Sequence, residues 1–137
     1  MPAWTPKLTN VKGVDGTSTA GRYAKSADGN VTFTAMIVAR KETNAASSNG
    51  FGLTLPVPAA AGLRTVFTLE YDGRGADHGV WLGDALIYSG SDGKSIDRLR
   101  VIANMENGAA LGNIDHVYGG ENDIGEVITI SGSYVAA

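Results

Sequence analysis

The longest uninterrupted strand-like run in the chain, Val31 to Arg40, limits the possible folds more than any compositional figure does. Val31, Phe33, Ala35, Ile37 and Ala39 share one face, and Thr32, Thr34, Met36, Val38 and Arg40 share the other, the period of two that defines a strand. The first face is wholly apolar. The second is polar for its first half and apolar at Met36 and Val38, so a neighbour is expected there, either another strand or a second subunit. Upstream, Gly21-Arg22-Tyr23-Ala24-Lys25 is joined to this run by the turn-rich Ser26-Ala27-Asp28-Gly29-Asn30, which predicts a β-hairpin over Gly21 to Arg40.

The remaining segments repeat this grammar of short strands and tight turns. Nineteen glycines stand at dispersed turn positions without a collagen-like period. Strands are predicted at Gly50 to Leu55, Arg64 to Tyr71, Val80 to Ser89, Arg98 to Met105 and Gly125 to Tyr134. Gly83-Asp84 interrupts the third of these, as a bulge or a junction of two short strands would. The apolar C-terminal run is expected inside a sheet, because at an edge it would invite aggregation. Asn10 to Ala20 and Lys41 to Asn49 read as loops, and Ile114, His116 and Tyr118 keep a period of two in a less decisive region. Ala59-Ala60-Ala61-Gly62 has local helix preference but is too short to nucleate more than one turn. The expectation is an all-β, antiparallel, jelly-roll-like β-sandwich of eight or nine strands, a single domain over residues 1–137. Phe33 and Ile37 are expected to face Phe51 and Phe67 across its core. Residues 1–9, where Pro6 favours an extended backbone, read as an edge strand or an attachment arm, with Trp4 capping one end of the core.

Charge and chemistry narrow the functions. Eleven basic against fourteen acidic residues give a formal charge of −3, and the basic residues form no patch, so nucleic acid is not an expected partner. With no cysteine, there is no disulfide, thiolate metal site or cysteine nucleophile. Neither a leader nor an apolar run long enough to span a membrane is apparent, so a chain kept in solution without membrane insertion is expected.

His78 and His116 each lack a second histidine at ligand spacing and read as surface or hydrogen-bonded groups. Glu70 and Asp72 lie about 7 Å apart on one side of a strand. That spacing suits the carboxylates of an inverting glycosidase and equally suits a polar strand end entering an Asp-Gly turn. Asp72, Asp77, Asp92, Asn122 and Asp123 stand in glycine-containing loops, where calcium finds oxygen ligands, but no specific loop motif joins them and Asx turns account for them. Trp81, Tyr88 and Tyr118 are the candidates for stacking on sugars. Without a nucleophile elbow or a phosphate-cradling loop, the expectation is a protein that is not an enzyme, with no catalytic residue, metal or cofactor.

Trp4-Thr5-Pro6 with Leu8-Thr9, Gly21-Arg22-Tyr23 leading to Val31-Thr32-Phe33-Thr34-Ala35, Leu53-Thr54-Leu55-Pro56, and the closing Ile128-Thr129-Ile130-Ser131-Gly132-Ser133-Tyr134 form an ordered set. In these segments the chain resembles short β-sandwich virion proteins of tailed bacteriophages: minor tail proteins, tail-fibre or head-fibre domains and capsid-surface decorations. The section from Tyr71 to Gly120 carries no part of the likeness. The resemblance implies a viral structural protein on the virion exterior, a homotrimer assembled in the host bacterial cytoplasm and docked on other virion proteins. The alternative is a carbohydrate-binding adhesion module that recognises glycans of the host envelope.

Overall fold

The computed structural model describes residues 1–73, 79–105, 108–119 and 125–137, with the backbone alone over 103–105. Among these residues the chain is all strand and turn, arranged as an antiparallel β-sandwich with one large sheet and two small ones.

The expected hairpin forms the second and third strands of the large sheet. β4 (Thr17–Lys25) pairs with β5 (Asn30–Ala39) from Thr17↔Ala39 to Lys25↔Val31 around the Ser26–Gly29 turn. Gly29 closes this turn with a φ of 91°, a left-handed conformation that glycine adopts without steric cost. The C-terminal β14 (Val127–Val135) inserts between β5 and β8 (Thr65–Asp72), so the apolar last strand lies inside the sheet as its composition requires. From β8 the sheet continues through β9 (Val80–Ile87) and β11 (Arg98–Met105) to β12 (Gly108–Asn113) at one edge. At the opposite edge β1 (Ala3–Trp4) pairs with Gly21 and Arg22 of β4.

Two three-stranded sheets cover the inner face. One is β2 (Leu8–Thr9), β7 (Gly52–Thr54) and β10 (Ser95–Ile96), with β7 central. The other is β3 (Val11–Lys12), β6 (Thr43–Ala45) and β13 (His116–Val117), with β6 central. The chain passes from the first to the second at Asn10, which takes a left-handed φ of 60° and donates from its side chain to the carbonyl of Gly50 at 2.6 Å. Buried side chains from both layers, including Phe33, Ile37, Phe67 and Ile130 below and Leu8, Phe51, Leu53 and Ile96 above, form one continuous core.

Several expectations change in detail. Phe67 does not face Phe33 across the core, because both belong to the large sheet, two strands apart. Gly132 of β14 lies between them, opposite Phe33. A Cβ on Gly132 would fall 2.6 Å from the Phe67 ring, so its absence lets the two rings meet edge to face with centroids 4.9 Å apart. β9 is continuous through Gly83-Asp84, with neither a bulge nor a junction. A Cβ on Gly83 would stand 1.8 Å from the carbonyl oxygen of Arg100, so glycine here lets β11 approach. The stretch Lys41 to Asn49 is not wholly a surface loop. Thr43 is buried, and its hydroxyl accepts from the amide of Gly16 at 2.8 Å and donates to the carbonyl of Lys41 at 3.2 Å. Strand structure also enters the predicted loop Asn10 to Ala20, as β3 and the first residues of β4.

Residues 1–9 are woven into both layers. Trp4 lies over Gly21, where a Cβ would be 2.3 Å from the indole, and meets Phe33 and Tyr23 edge to face at 6.0 and 6.1 Å. Leu8 is buried in the core, and Lys7 exchanges hydrogen bonds with Thr54. The edge strand expected for this segment is present. Trp4 packs against the core as a partly buried residue, in keeping with the cap expected of it.

Candidate functional site

A strand of alternating residues presents one face to the core, so the covering sheets leave the other face of the large sheet to solvent. The register runs a polar row straight across this outer face: Arg22, Thr34, Ser131, Thr68, Asp84, Arg100 and Asn113, each opposite the next. Thr68 and Ser131 hydrogen-bond at 3.2 Å, as do Thr32 and Ser133 in a neighbouring row. Asp84 and Arg100 form a bidentate pair, with both N–O distances 2.7 Å. The Asp84 hydrogen bond, ahead of its charge, raises the guanidinium pKa and keeps Arg100 cationic.

Large apolar side chains surround this row. Leu82 is 63% exposed and Val66 55%, and Met36, Val80, Ile102 and Leu111 are also exposed on the same face. Ile102 and Leu111 stand opposite each other, and Leu82 stands opposite Glu70. A shallow groove of about 300 Å³ follows the sheet between Thr68, Glu70, Leu82, Thr129 and Ser131. Scattered single apolar residues are ordinary on a surface, and here several share one sheet face. Of the two residues expected to meet a neighbour, Met36 is 42% exposed and Val38 half-buried.

A second cluster forms where β8, β9 and β14 end. Tyr71 and Trp81 are opposed across β8 and β9. The Tyr71 hydroxyl donates to Oε2 of Glu126, which also accepts the amide of Tyr118 at 3.2 Å. Glu126 is buried, and these donors compensate a carboxylate taken out of water. Burial first, then the hydrogen bond and the charge of Glu126, push the Tyr71 pKa up, so its hydroxyl stays a donor. The His116 ring lies 5.1 Å from that of Tyr118, and its Nδ1 is 2.7 Å from Asp115 Oδ1.

The sequence candidates therefore separate. Trp81 and Tyr118, both about 40% exposed, come to the same end of the sandwich through Tyr71 and Glu126. Tyr88 does not join them and instead takes Arg98 over its ring at 5.4 Å. Glu70 and Asp72 share the outer face of β8, in the rows of Leu82 and Val80 respectively. Asp92 makes the expected Asx turn, accepting from the amide of Lys94 at 3.0 Å. His78, Asp77, Asn122 and Asp123 lie outside the described residues. Among the described residues no group of three potential metal ligands occurs. Glu126 and Tyr71 were not apparent as partners from sequence, since 55 residues separate them. The one sequence signal for Asp84 was its interruption of an apolar run.

Comparison with models of protein families, with curated proteins and with solved structures gives no match for this chain.

Proposed function

We propose that this chain is a non-enzymatic structural component of a bacteriophage virion exterior, a minor tail protein or capsid decoration that works by self-association and docking on other virion proteins. The observation that carries the reading is the outer face of the large sheet, a rigid surface on which Met36, Val66, Leu82, Ile102 and Leu111 stand exposed. Burying such side chains against another protein is favourable by about 25 cal/mol per Å² of apolar surface. The polar row between them supplies hydrogen-bonding groups that fix orientation. The virion assignment draws its support from the sequence likeness, as does the homotrimer. Sedimentation of the purified protein with phage particles lacking it tests docking. The expected result is co-sedimentation that Leu82→Asp abolishes while circular dichroism is unchanged; failure of the unaltered protein to bind would remove the reading.

The cluster at the strand ends favours a second reading, a carbohydrate-binding module for the host envelope. Trp81 and Tyr118 are exposed rings at one end of the sandwich, the kind of stacking surface that sugars use. Binding on a glycan array that Trp81→Ala eliminates would support this one, and an array without signal would remove it.

A further inference from the structure

β12 is a long sheet edge that the described residues leave uncovered. The opposite edge is protected by β1, by the Tyr23 amide donating to the Pro2 carbonyl, and by the charges of Arg22 and Lys25. Edges of the small sheets are two-residue strands. β12 has six residues in unbroken register with β11, from Arg100↔Asn113 to Met105↔Gly108, with no proline, charge or bulge, the usual devices against edge pairing.

The backbone phase of this edge follows from one bond. The amide of Ile114 donates to the carbonyl of Leu99 on β11. Backbone groups alternate along a strand, so those of Gly112, Ala110 and Gly108 point to β11, whereas those of Asn113, Leu111 and Ala109 point out. The sequence of this edge, Gly108-Ala109-Ala110-Leu111-Gly112, is nearly palindromic in size about Ala110.

We propose that β12 pairs antiparallel with β12 of a second copy about a two-fold axis at Ala110, joining two eight-stranded sheets into one. In that register Ala109 lies opposite Leu111 of the other copy, and the outward amides and carbonyls of Ala109 and Leu111 on each edge meet in four hydrogen bonds. Gly108 lies opposite Gly112 and Ala110 opposite its own copy, so no bulky or like-charged side chains are brought together. Residues opposite each other also fall on the same sheet face, as antiparallel pairing demands. The outer-face row ending at Leu111 then continues into the second copy. This contact rests on the reading of the chain as a self-associating protein, and it joins copies in pairs whatever ring the outer face forms.

Because the chain has no cysteine, disulfide trapping reads the register directly. Ala110→Cys places two thiols in a non-hydrogen-bonded pair with Cα atoms about 4.5 Å apart, within the range a disulfide spans. Asn113→Cys places them about 20 Å apart. Mild oxidation should cross-link Ala110→Cys to a dimer and leave Asn113→Cys monomeric on a denaturing gel; linkage of both or of neither overturns the proposal. Ala110→Lys and Ala110→Glu, each folded by circular dichroism, should each lose the dimer, and mixing them should restore twice the 14.1 kDa chain mass by light scattering. No restoration also overturns it. An unaltered protein that associates while Ala110→Cys fails to link retains self-association and loses this edge; a protein that stays monomeric loses both.

Discussion

Replacing Phe33 by alanine tests whether the large sheet is held together by the ring cluster at its centre. Phe33 is 2% exposed and meets Phe67, Tyr134 and Trp4 edge to face at 4.9, 5.9 and 6.0 Å. Taking roughly 150 Å² of apolar surface at about 25 cal/mol per Å² gives about 4 kcal/mol, inside the range of about 3–5 kcal/mol for buried Phe→Ala changes. The site is poorly able to collapse, because Gly132 beside it has no side chain to move in. At an unfolding entropy of about 2.1 cal/mol/K per residue, a loss of about 4 kcal/mol lowers Tm by about 14 °C in a chain of 137 residues. Urea unfolding followed by tryptophan fluorescence should show a lower midpoint with an unchanged slope. Met36→Ala on the same strand's outer face should change stability by no more than about 0.5 kcal/mol. A Phe33→Ala loss under about 1 kcal/mol, or equal effects at the two positions, would refute the assignment of the two faces.

Three further outcomes follow from local geometry. Trp4→Ala should cost about 3 kcal/mol in urea unfolding, and deleting residues 1–9 should lower Tm as well as disturb assembly, since Trp4 and Leu8 are part of the packing; a truncated chain as stable as the full one would contradict this. Asp84→Asn breaks the bidentate pair with Arg100 and should cost about 1.5–3 kcal/mol, an effect that persists at high salt because both side chains are largely covered. Burial pushes the Tyr134 pKa up to about 12 while its hydroxyl donates to the Val57 carbonyl at 2.7 Å. The folded state therefore holds this proton more tightly than the unfolded chain. The resulting stability is complete below about pH 10 and is lost as pH rises toward 12; Tyr134→Phe should make that decline in Tm shallower.

The hairpin was legible because ten consecutive residues of β5 alternate under one rule, and the burial of β14 because a strand that apolar has no stable place at an edge. What was not legible depends on contacts between distant segments. Strands of two or three residues, such as β2, β3 and β13, are too short to carry a period, so the covering layer was only partly readable. Strand order is not local either, which is why Phe67 was expected opposite Phe33 when it lies beside it. Gly83 looked like a defect because the carbonyl of Arg100 that needs its space comes from another strand. β12 was hidden by its own composition, since Gly-Ala-Ala-Leu-Gly has little intrinsic strand preference and is held by its pairing with β11. For the candidate surfaces, Met36, Trp81 and Tyr118 were named by residue type, but that Glu126 links Tyr71, which stands opposite Trp81, to the backbone of Tyr118 required the fold.

Electron microscopy of phage particles labelled with an antibody against this chain tests the proposed role most directly. Label is expected on the particle exterior, confined to the tail or spread over the capsid, and retained after washing in high salt because apolar burial on the sheet face holds the protein there. Particles that carry no label, while the protein is found only in the soluble fraction of the lysate, would contradict it.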